Sequence, residues 1–225
     1  MSVACSPAPV VLFDLDGTLI DSEPIWGAAN ASLVRSRRAE ITEALLGNLS
    51  GLDSTLAMQY IHEYYGWVDY DIDGDVAFVQ QQVHQAYTRG VHWLPGARGI
   101  LAAVRAAGFR TGLVTSTYRE LVDIVLAEVS AETFDVVVCG DDGHAPKPDP
   151  APYLGAMAEL GVPAASCVAV EDSGRGVASA RAAGCLVLNV TSSTRSDLAH
   201  AWARSLAEVD VDNFRRFLEA APVRV

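Results

Sequence analysis

The stretch VVLFDLDGTL, residues 10–19, decides the fold, because an apolar run ends on two aspartates that are separated by one residue. Its four leading apolar residues predict a buried strand. Side chains alternate along a strand, so Asp14 and Asp16 point to the same side while Leu15 points into the core. Gly17 allows the chain to turn sharply afterwards. The stretch therefore predicts two aligned carboxylates at the carboxyl end of a strand, where open α/β sheets place their ligand sites.

From about residue 92 onward, short apolar runs alternate with helical patterns. This alternation predicts βαβ units and a parallel sheet. The expected fold class is α/β, with a Rossmann-like parallel sheet core flanked by helices. The candidate strands are Val10–Phe13, Thr111–Thr115, Phe134–Cys139, Cys167–Val170 and Leu186–Val190.

The segment of residues 21–91 is far longer than a crossover connection, which needs about a dozen residues. Its apolar residues recur with helical spacing. We predict that residues 21–91 form an inserted α-helical cap subdomain and that residues 1–20 and 92–225 form the α/β core. Hinges between the two parts are expected near residues 19–21 and 92–95.

The composition is that of a globular protein with an acidic surface. The chain has 225 residues, of which 50% are hydrophobic, and 28 acidic residues against 16 basic ones give a net charge of -12. This charge disfavours nucleic acid and anionic membrane surfaces as partners. The sequence leaves the oligomeric state open, with a monomer favoured.

No apolar run approaches the roughly 18 residues of a membrane span. The first nine residues lack a basic segment followed by an apolar one, so a cytoplasmic protein is expected. The cysteines show no CxxC spacing, which favours free thiols over a disulfide framework or a zinc site. The four cysteines are Cys5, Cys139, Cys167 and Cys185.

Further polar residues follow later predicted strands, whose carboxyl ends meet in one crevice. Thr115 and Ser116 precede a predicted helix, so a hydroxyl and backbone N–H groups there suit phosphate oxygens, although such a cluster is also typical of an ordinary N-cap. Lys147 is the only lysine and lies between two prolines. Its point charge suits a phosphoryl group or an ionised aspartate. Glu171 and Asp172 follow the fourth strand and suit a divalent metal ion.

These residues, in this order, resemble the four motifs of the haloacid dehalogenase superfamily of phosphohydrolases. The motifs are Asp14-x-Asp16-Gly17-Thr18, Thr115, Lys147 and Glu171-Asp172. The run from Asp14 to Pro24 and the Glu-Asp-Ser-Gly-x-Gly segment of residues 171–176 resemble the helical-cap subgroup, which includes β-phosphoglucomutase and many sugar-phosphate phosphatases. The resemblance extends over nearly the whole chain.

The resemblance implies a Mg²⁺-dependent phosphatase that acts on a small phosphorylated metabolite, such as a sugar phosphate. It implies that Asp14 attacks phosphorus and becomes a transient aspartyl phosphate. Asp16 would protonate the leaving alkoxide and then deprotonate the attacking water. The expected activity is therefore hydrolysis of a phosphate monoester.

The resemblance also implies the ligand contacts. Mg²⁺ would be held by Asp14, the backbone carbonyl of Asp16 and Asp172, with Glu171 assisting directly or through water. The phosphoryl oxygens would be bound by the other motif residues. Those residues are Thr115, the backbone of Ser116, and Lys147.

Residues 39–88 carry eight acids and no Lys or Arg. A phosphomutase must hold a second phosphate group, so this segment favours hydrolysis. A phosphomutase of the β-phosphoglucomutase type remains the alternative if an arginine from outside the segment reaches the cleft. The arginines considered are Arg35, Arg37, Arg38 and Arg89. Candidate contacts to substrate hydroxyl groups are Asn48, Ser50 and His62.

The segment Asp69–Asp75 matches the first half of an EF-hand calcium loop. Position twelve of that loop would be Gln80, which cannot bind calcium as a bidentate carboxylate does. We interpret the segment as an acidic loop whose carboxylates favour the start of a helix near Val76. Whether it binds calcium stays open at this point.

Two other classes of protein can place similar residues at strand ends. A phospho-receiver domain predicts a chain of about half this length without an inserted cap, and Asp16 would shorten the lifetime of its phosphoryl group. A catalytically silent binding module normally lacks a motif residue, whereas this sequence has all of them. Both alternatives are therefore disfavoured.

Overall fold

The computed structural model of the protein describes residues 8–192 and 195–220. Within these ranges, six parallel strands form one sheet: β1 Val10–Phe13, β2 Arg110–Val114, β3 Val136–Val138, β4 Cys167–Glu171, β5 Leu186–Val190 and β6 Ala201–Ala203. Their order in the sheet is β3-β2-β1-β4-β5-β6. β1 lies between β2 and β4, so the stretch that follows it is at the centre of the sheet edge.

The helices of the described ranges are α1 Glu23–Ser36, α2 Glu43–Leu49, α3 Ser54–Tyr65, α4 Ile72–Tyr87, α5 Ala97–Ala106, α6 Arg119–Leu126, α7 Ala151–Leu160, α8 Gly174–Ala182 and α9 Val211–Ala220. Apolar side chains of α5, α6 and α9 pack on one face of the sheet, and those of α7 and α8 pack on the other. The chain is therefore a three-layer α/β sandwich, which confirms the predicted fold class.

The central strand β1 is buried on both faces. Val11 and Phe13 belong to the apolar cluster under α5, α6 and α9, while Val10 and Leu12 belong to the cluster under α7 and α8. A parallel strand that is covered on both sides reads as a continuous apolar run and does not alternate with polar residues. This is why the sequence of β1 is so easily recognised.

Some strand ends differ from the predicted ones. β3 has three residues, because only Val136–Val138 pair with β2. β4 extends to Glu171, which is paired with Asn189 of β5. Glu171 is therefore a strand residue, and Asp172 is the first residue after the strand.

Helices α1 to α4, which we call the cap helices, are inserted between β1 and α5. Helix α4 packs against α1 and α3. The chain enters and leaves this insertion at adjacent points, where Ile20 and Trp93 form an antiparallel bridge. The Asp21 N–H donates to the His92 carbonyl at 2.8 Å, and the Leu94 N–H donates to the Leu19 carbonyl at 2.9 Å. The two expected hinge segments thus lie side by side.

The acidic segment Asp69–Asp75 includes the start of α4. This helix begins at Ile72, earlier than the start near Val76 that the sequence predicted. The side chain of Asp71 caps this helix. Asp75 lies in the first turn and is buried, and its Oδ2 is 2.6 Å from Nε2 of His62. The carboxylate of Asp75 therefore faces the interior of the cap helices, and the segment is not an open calcium loop.

The structure bears on membrane-spanning helices and on the state of the cysteines. Across the described ranges, no helix combines the length and the apolar character that a membrane span requires. Cys139, Cys167 and Cys185 are buried free thiols. Cys5 lies outside the described residues.

Candidate active site

The carboxyl ends of β1, β2 and β4 surround a cavity of about 310 Å³ between the sheet and the cap helices. Parallel neighbouring strands bring the residues that follow them to one edge, which is why motifs distant in sequence meet here. The motif residues that line the cavity are Asp14, Asp16, Thr115, Ser116, Lys147 and Asp172. The structure therefore brings all the predicted core site residues together, and of these Glu171 alone does not line the cavity, because it lies behind Lys147.

Lys147 is fixed by three acceptors. Its Nζ donates to Asp14 Oδ1 at 2.8 Å, to Glu171 Oε1 at 2.6 Å and to the Val114 carbonyl at 2.9 Å. The side chain is only 4% exposed. Burial alone would lower its pKa, but the carboxylates of Asp14 and Glu171 outweigh burial and raise the pKa of Lys147 above its ordinary value. The ammonium group is therefore held in the charged state.

Asp14 and Asp172 carry more negative charge than Lys147 can compensate. Burial raises the pKa of Asp14 to about 7, against the lowering effect of Lys147, and the nearby Glu171 and Asp16 raise it further. Burial, followed by the charges of Asp14 and Glu171, raises the pKa of Asp172 well above its usual value. A divalent cation would relieve this excess of buried negative charge.

The donor set suits Mg²⁺. Carboxylate oxygens of Asp14, Glu171 and Asp172 all lie within 4.8 Å of one another. Hard cations such as Mg²⁺ prefer oxygen ligands of this kind. The turn of Gly17, with φ of +77°, is packed so closely that a Cβ atom there would overlap the Asp172 carboxylate.

Glu171 is fully buried and holds Lys147 in place. Its Oε1 also accepts a hydrogen bond from the Tyr153 hydroxyl at 2.6 Å. A Cβ atom at Gly176 would overlap the Glu171 carboxylate, so only glycine allows α8 to pack this closely against Glu171. Asn189 donates to the backbone carbonyls of Glu171 and Asp172 at 2.9 and 3.1 Å, which fixes the chain where β4 ends.

Asp16 is held by hydrogen bonds from both the core and the cap helices. Its Oδ1 accepts from Trp26 Nε1 at 3.2 Å and from the Tyr87 hydroxyl at 2.9 Å. Its Oδ2 accepts from Thr117 Oγ1 at 2.6 Å and from Thr115 Oγ1 at 3.4 Å. Burial, with the charge of Asp16, raises the pKa of Tyr87, so its phenol stays a donor. Both carboxylate oxygens of Asp16 therefore accept hydrogen bonds from protein donors.

Sequence reasoning missed Trp26, Tyr87, Thr117 and Tyr153. Trp26 and Tyr87 fit the apolar spacing of their helices, so only the folded chain shows that their polar atoms reach Asp16. Thr117 follows the predicted Thr115 and Ser116 by one or two residues, and its position in the same loop was the available signal.

The three candidate substrate contacts in the cap differ in position. Ser50 lines the cavity. Asn48 does not, and its Nδ2 donates to the Tyr60 hydroxyl at 3.0 Å on the exposed side. His62 is buried among the cap helices, where it is paired with Asp75, and does not line the cavity. The structure thus brings only Ser50 to the cavity, because local partners direct the other two side chains elsewhere.

The arginines considered as phosphate ligands are also absent from the lining of this cavity. Arg37 forms an ion pair with Asp75 and lies over the rings of Trp67 and Tyr70. It therefore stabilises the interior of the cap helices. Among the described residues that line the cavity, Lys147 is the only lysine or arginine.

The parallel sheet, its acidic edge and the inserted helices can be compared with known proteins through a family model and individual relatives. The family model described as haloacid dehalogenase-like hydrolase matches residues 11–190. The chain belongs to this family and is an enzyme of the phosphohydrolase class.

Individual relatives agree with this assignment. The chain is 33% identical over 199 residues to protein CbbY of Rhodobacter capsulatus, covering 83% of this chain and 87% of that protein. It is 31% identical over 179 residues to a phosphorylated carbohydrates phosphatase of Thermotoga maritima, covering 77% of this chain and 81% of that protein. The fold is similar to that of β-phosphoglucomutase from Clostridium difficile, with a TM-score of 0.84, 17% identity and coverage of 94% of this chain and 97% of that chain.

Proposed function

We propose that the protein is a Mg²⁺-dependent phosphatase that hydrolyses a small phosphate monoester of the sugar-phosphate type through an aspartyl-phosphate intermediate. The observation that carries the proposal is the group formed by buried Asp14 and Lys147 and half-buried Asp172 at the floor of a cavity that also holds Asp16. Relatives that act on phosphorylated carbohydrates support the substrate class.

In the first step, Asp14 attacks phosphorus while the bond from phosphorus to the ester oxygen breaks, and Asp16 gives a proton to the leaving alkoxide. In the second step, Asp16 takes the proton of the water that attacks the aspartyl phosphate, and inorganic phosphate leaves. Lys147, Thr115 and the backbone N–H of Ser116 offset the charge on the phosphoryl oxygens.

Asp14, the backbone carbonyl of Asp16 and Asp172 would hold Mg²⁺, which supplies charge neutralisation at the phosphoryl group when it is bound. Glu171 has one carboxylate oxygen occupied by Lys147 and Tyr153, so its role is to orient the lysine and to complete the acidic surroundings. Each donor is an oxygen atom, as Mg²⁺ requires.

We further propose that residues 21–91 act as a cap over a core of residues 1–20 and 92–225. Substrate must enter the cavity and water must be excluded afterwards, which a cap on two adjacent hinges permits. The adjacent entry and exit of the insertion support this division, and side chains of the two parts also contact each other. The Thr55 and Tyr118 hydroxyls lie 3.2 Å apart, and both Trp26 and Tyr87 reach Asp16 from the cap helices.

Hydrolysis is favoured over phosphate transfer within a bisphosphate. A phosphomutase must bind two phosphate groups at once, but Lys147 is the only lysine or arginine among the described lining residues. The second phosphate would therefore meet no cationic side chain. The phosphomutase alternative rests on similarity of fold to β-phosphoglucomutase.

The direct test is phosphate release from a panel of small monophosphates, first with Mg²⁺ and then with chelator. We expect release with Mg²⁺ and none with chelator. Conversion of a sugar 1-phosphate to the 6-phosphate in the presence of trace bisphosphate, without free phosphate, would instead establish the mutase. No reaction under either condition would contradict both functions.

The metal-free protein is expected to become less stable as pH rises. Asp14 has a pKa of about 7 in the folded protein against an ordinary value of 3.8, so between these pH values the folded state binds more protons than the unfolded state. The free energy of unfolding then decreases as pH rises through this window, and Asp172 adds to the decrease. Urea unfolding in chelator at a series of pH values measures this.

The matched variant for this pH dependence is Asp172→Asn. It removes one buried charge, so it should flatten the decrease in metal-free stability and also abolish stabilisation by Mg²⁺. The exposed Asp212→Asn is the control and should keep the wild-type pH profile. If the metal-free protein instead gained stability from pH 5 to pH 8, the negative charges of Asp14 and Asp172 would be neutralised better by their surroundings than the structure indicates.

Tyr87→Phe is expected to lower kcat about tenfold with little change in KM. The hydroxyl of Tyr87 orients Asp16 and does not line the cavity, so its loss affects proton transfer more than substrate binding. Tyr60→Phe, which removes an exposed cap hydroxyl bonded to Asn48, is the control and should leave kcat unchanged. A rise in KM of about tenfold with unchanged kcat in Tyr87→Phe would contradict the role of Tyr87 in positioning Asp16.

A further inference from the structure

One polar residue interrupts the buried strand β5, whose sequence is LVLNV. This residue, Asn189, is 1% exposed, and the other residues of the strand are apolar. A buried polar side chain is costly unless its hydrogen bonds are made, so an asparagine in this position needs partners. Those partners include the end of the neighbouring strand β4, next to the acidic edge of the cavity.

The side-chain amide of Asn189 makes three hydrogen bonds to backbone groups. Its Nδ2 donates to the carbonyls of Glu171 at 2.9 Å and of Asp172 at 3.1 Å. Its Oδ1 accepts from the N–H of Ser196 at 2.9 Å. Because a backbone N–H can only donate, this last bond determines which end of the amide faces the two carbonyls. The amide is therefore oriented as well as buried.

The end of β4 is held from both of its neighbouring strands. On one side, the Asp14 N–H, directly after β1, donates to the Val170 carbonyl at 3.0 Å. On the other side, Glu171 is paired with Asn189, and the amide of Asn189 bonds the carbonyls at the point where the chain leaves the sheet. These bonds fix the backbone from which the Asp172 side chain projects.

The position of the Asp172 carboxylate leaves little tolerance. A Cβ atom at Gly17 would lie 2.2 Å from Asp172 Oδ2, so this carboxylate is packed against the turn that follows β1. Carboxylate oxygens of Asp14, Glu171 and Asp172 lie within 4.8 Å of one another. A rotation of the backbone at residue 172 would move its carboxylate toward Gly17 or away from Asp14. Hydrogen bonds that orient metal-binding groups are typically worth about tenfold to a hundredfold in metal affinity.

We propose that Asn189 is a positioning residue for the metal site. By holding the two carbonyls at the end of β4, its amide aims the Asp172 carboxylate at Asp14 and so strengthens the binding of Mg²⁺. Asn189 does not line the cavity, so its effect on the reaction passes through Asp172. The inference rests on the phosphatase function proposed above and adds a residue to the metal site of that function.

The test is calorimetric titration of Mg²⁺ into the wild type and into Asn189→Ala, without substrate. Alanine leaves room for a water molecule at the two carbonyls, so the sheet should keep its form. We expect Asn189→Ala to bind Mg²⁺ about tenfold more weakly than the wild type. In phosphate release, the Mg²⁺ concentration for half-maximal activity should rise by the same factor. At saturating Mg²⁺, kcat and KM should stay within about twofold of the wild type.

The control is Val187→Ala, on the same strand and the same face of the sheet. Val187 is fully buried in the cluster under α7 and α8 and is paired with Ala169, away from the end of β4. This control should lower the midpoint of thermal unfolding in chelator and leave the Mg²⁺ affinity unchanged. Wild-type affinity in Asn189→Ala, or an equal loss of affinity in Val187→Ala, would overturn the inference.

A second variant, Asn189→Ser, keeps the test decisive if alanine prevents folding. The serine hydroxyl can donate to one of the two carbonyls, so the affinity for Mg²⁺ should fall by about threefold. If only this variant folds, wild-type affinity in it would overturn the inference. Failure of both variants to fold, with Val187→Ala folded, would also overturn it, because the amide would then serve the sheet itself.

Metal binding separates this inference from the phosphatase function, because the titration needs no turnover. Weaker Mg²⁺ binding by Asn189→Ala, with no phosphate release by the wild type from any ester, would support the positioning role and contradict the phosphatase. Mg²⁺-dependent release by the wild type, with equal Mg²⁺ affinity in the two proteins, would support the phosphatase and overturn the role of Asn189. A wild type that binds no Mg²⁺ in the titration would overturn the inference directly.

Discussion

Asp14→Asn is expected to lower kcat for phosphate release by at least about 10⁴-fold, because an amide cannot form the acyl-phosphate bond on which both steps depend. Asparagine has nearly the same shape as aspartate, so the cavity should keep its form. Steady-state phosphate release at saturating Mg²⁺ measures the loss. A thermal melt of the variant checks that the sheet is intact.

Asp71→Asn is a suitable control for this substitution. Asp71 caps α4 far along the chain from the motif residues, and asparagine caps helices as well as aspartate does. This control should keep wild-type turnover. If Asp14→Asn kept more than a few per cent of wild-type kcat, another group would have to be the nucleophile.

Lys147→Met is expected to destabilise the metal-free protein by about 3–5 kcal/mol at pH 8, because it leaves Asp14 and Glu171 buried without a cation. The loss should be smaller at pH 5, where Asp14, with its pKa of about 7, is protonated. Urea unfolding in chelator at the two pH values measures both effects. Added Mg²⁺ should restore part of the stability, since it supplies positive charge to the same carboxylates.

The control for the lysine is Arg98→Met. Arg98 is half-exposed and pairs with Glu128 at 2.7 Å, and exposed ion pairs contribute about 1 kcal/mol or less. A Lys147→Met variant that lost no more stability than Arg98→Met would show that water or rearrangement compensates the buried carboxylates.

Most of the sheet could be predicted from sequence, because its inner strands are buried on both faces. Val10–Phe13 is a continuous apolar run and Leu186–Val190 is apolar except for Asn189, and the structure gives strands with those bounds. The edge strand Ala201–Ala203 and the helix Val211–Ala220 were missed. A three-residue edge strand buries too little apolar surface to leave a pattern, and its pairing with β5 depends on contacts that are distant in sequence.

The motif residues could be predicted to meet because each lies at the carboxyl end of a parallel strand or in the loop beyond it. The groups that surround them could not, since their roles depend on which way a helix faces. Tyr87 reaches Asp16 across 71 positions of sequence, and Trp26 reaches it from another helix. His62 and Asn48 were predicted to contact the substrate but do not reach the cavity. His62 pairs with Asp75, and Asn48 pairs with Tyr60.

The bridge between Ile20 and Trp93 has a consequence for how such a chain can diversify. Because the insertion starts and ends at neighbouring points, it joins the rest of the chain as the loop of a hairpin joins its two strands. Helices can be lengthened, lost or exchanged within residues 21–91 without shifting the pairing of β1 with β2 and β4. The cap side of the cavity can therefore vary in length and sequence while the carboxyl edge of the sheet keeps its arrangement.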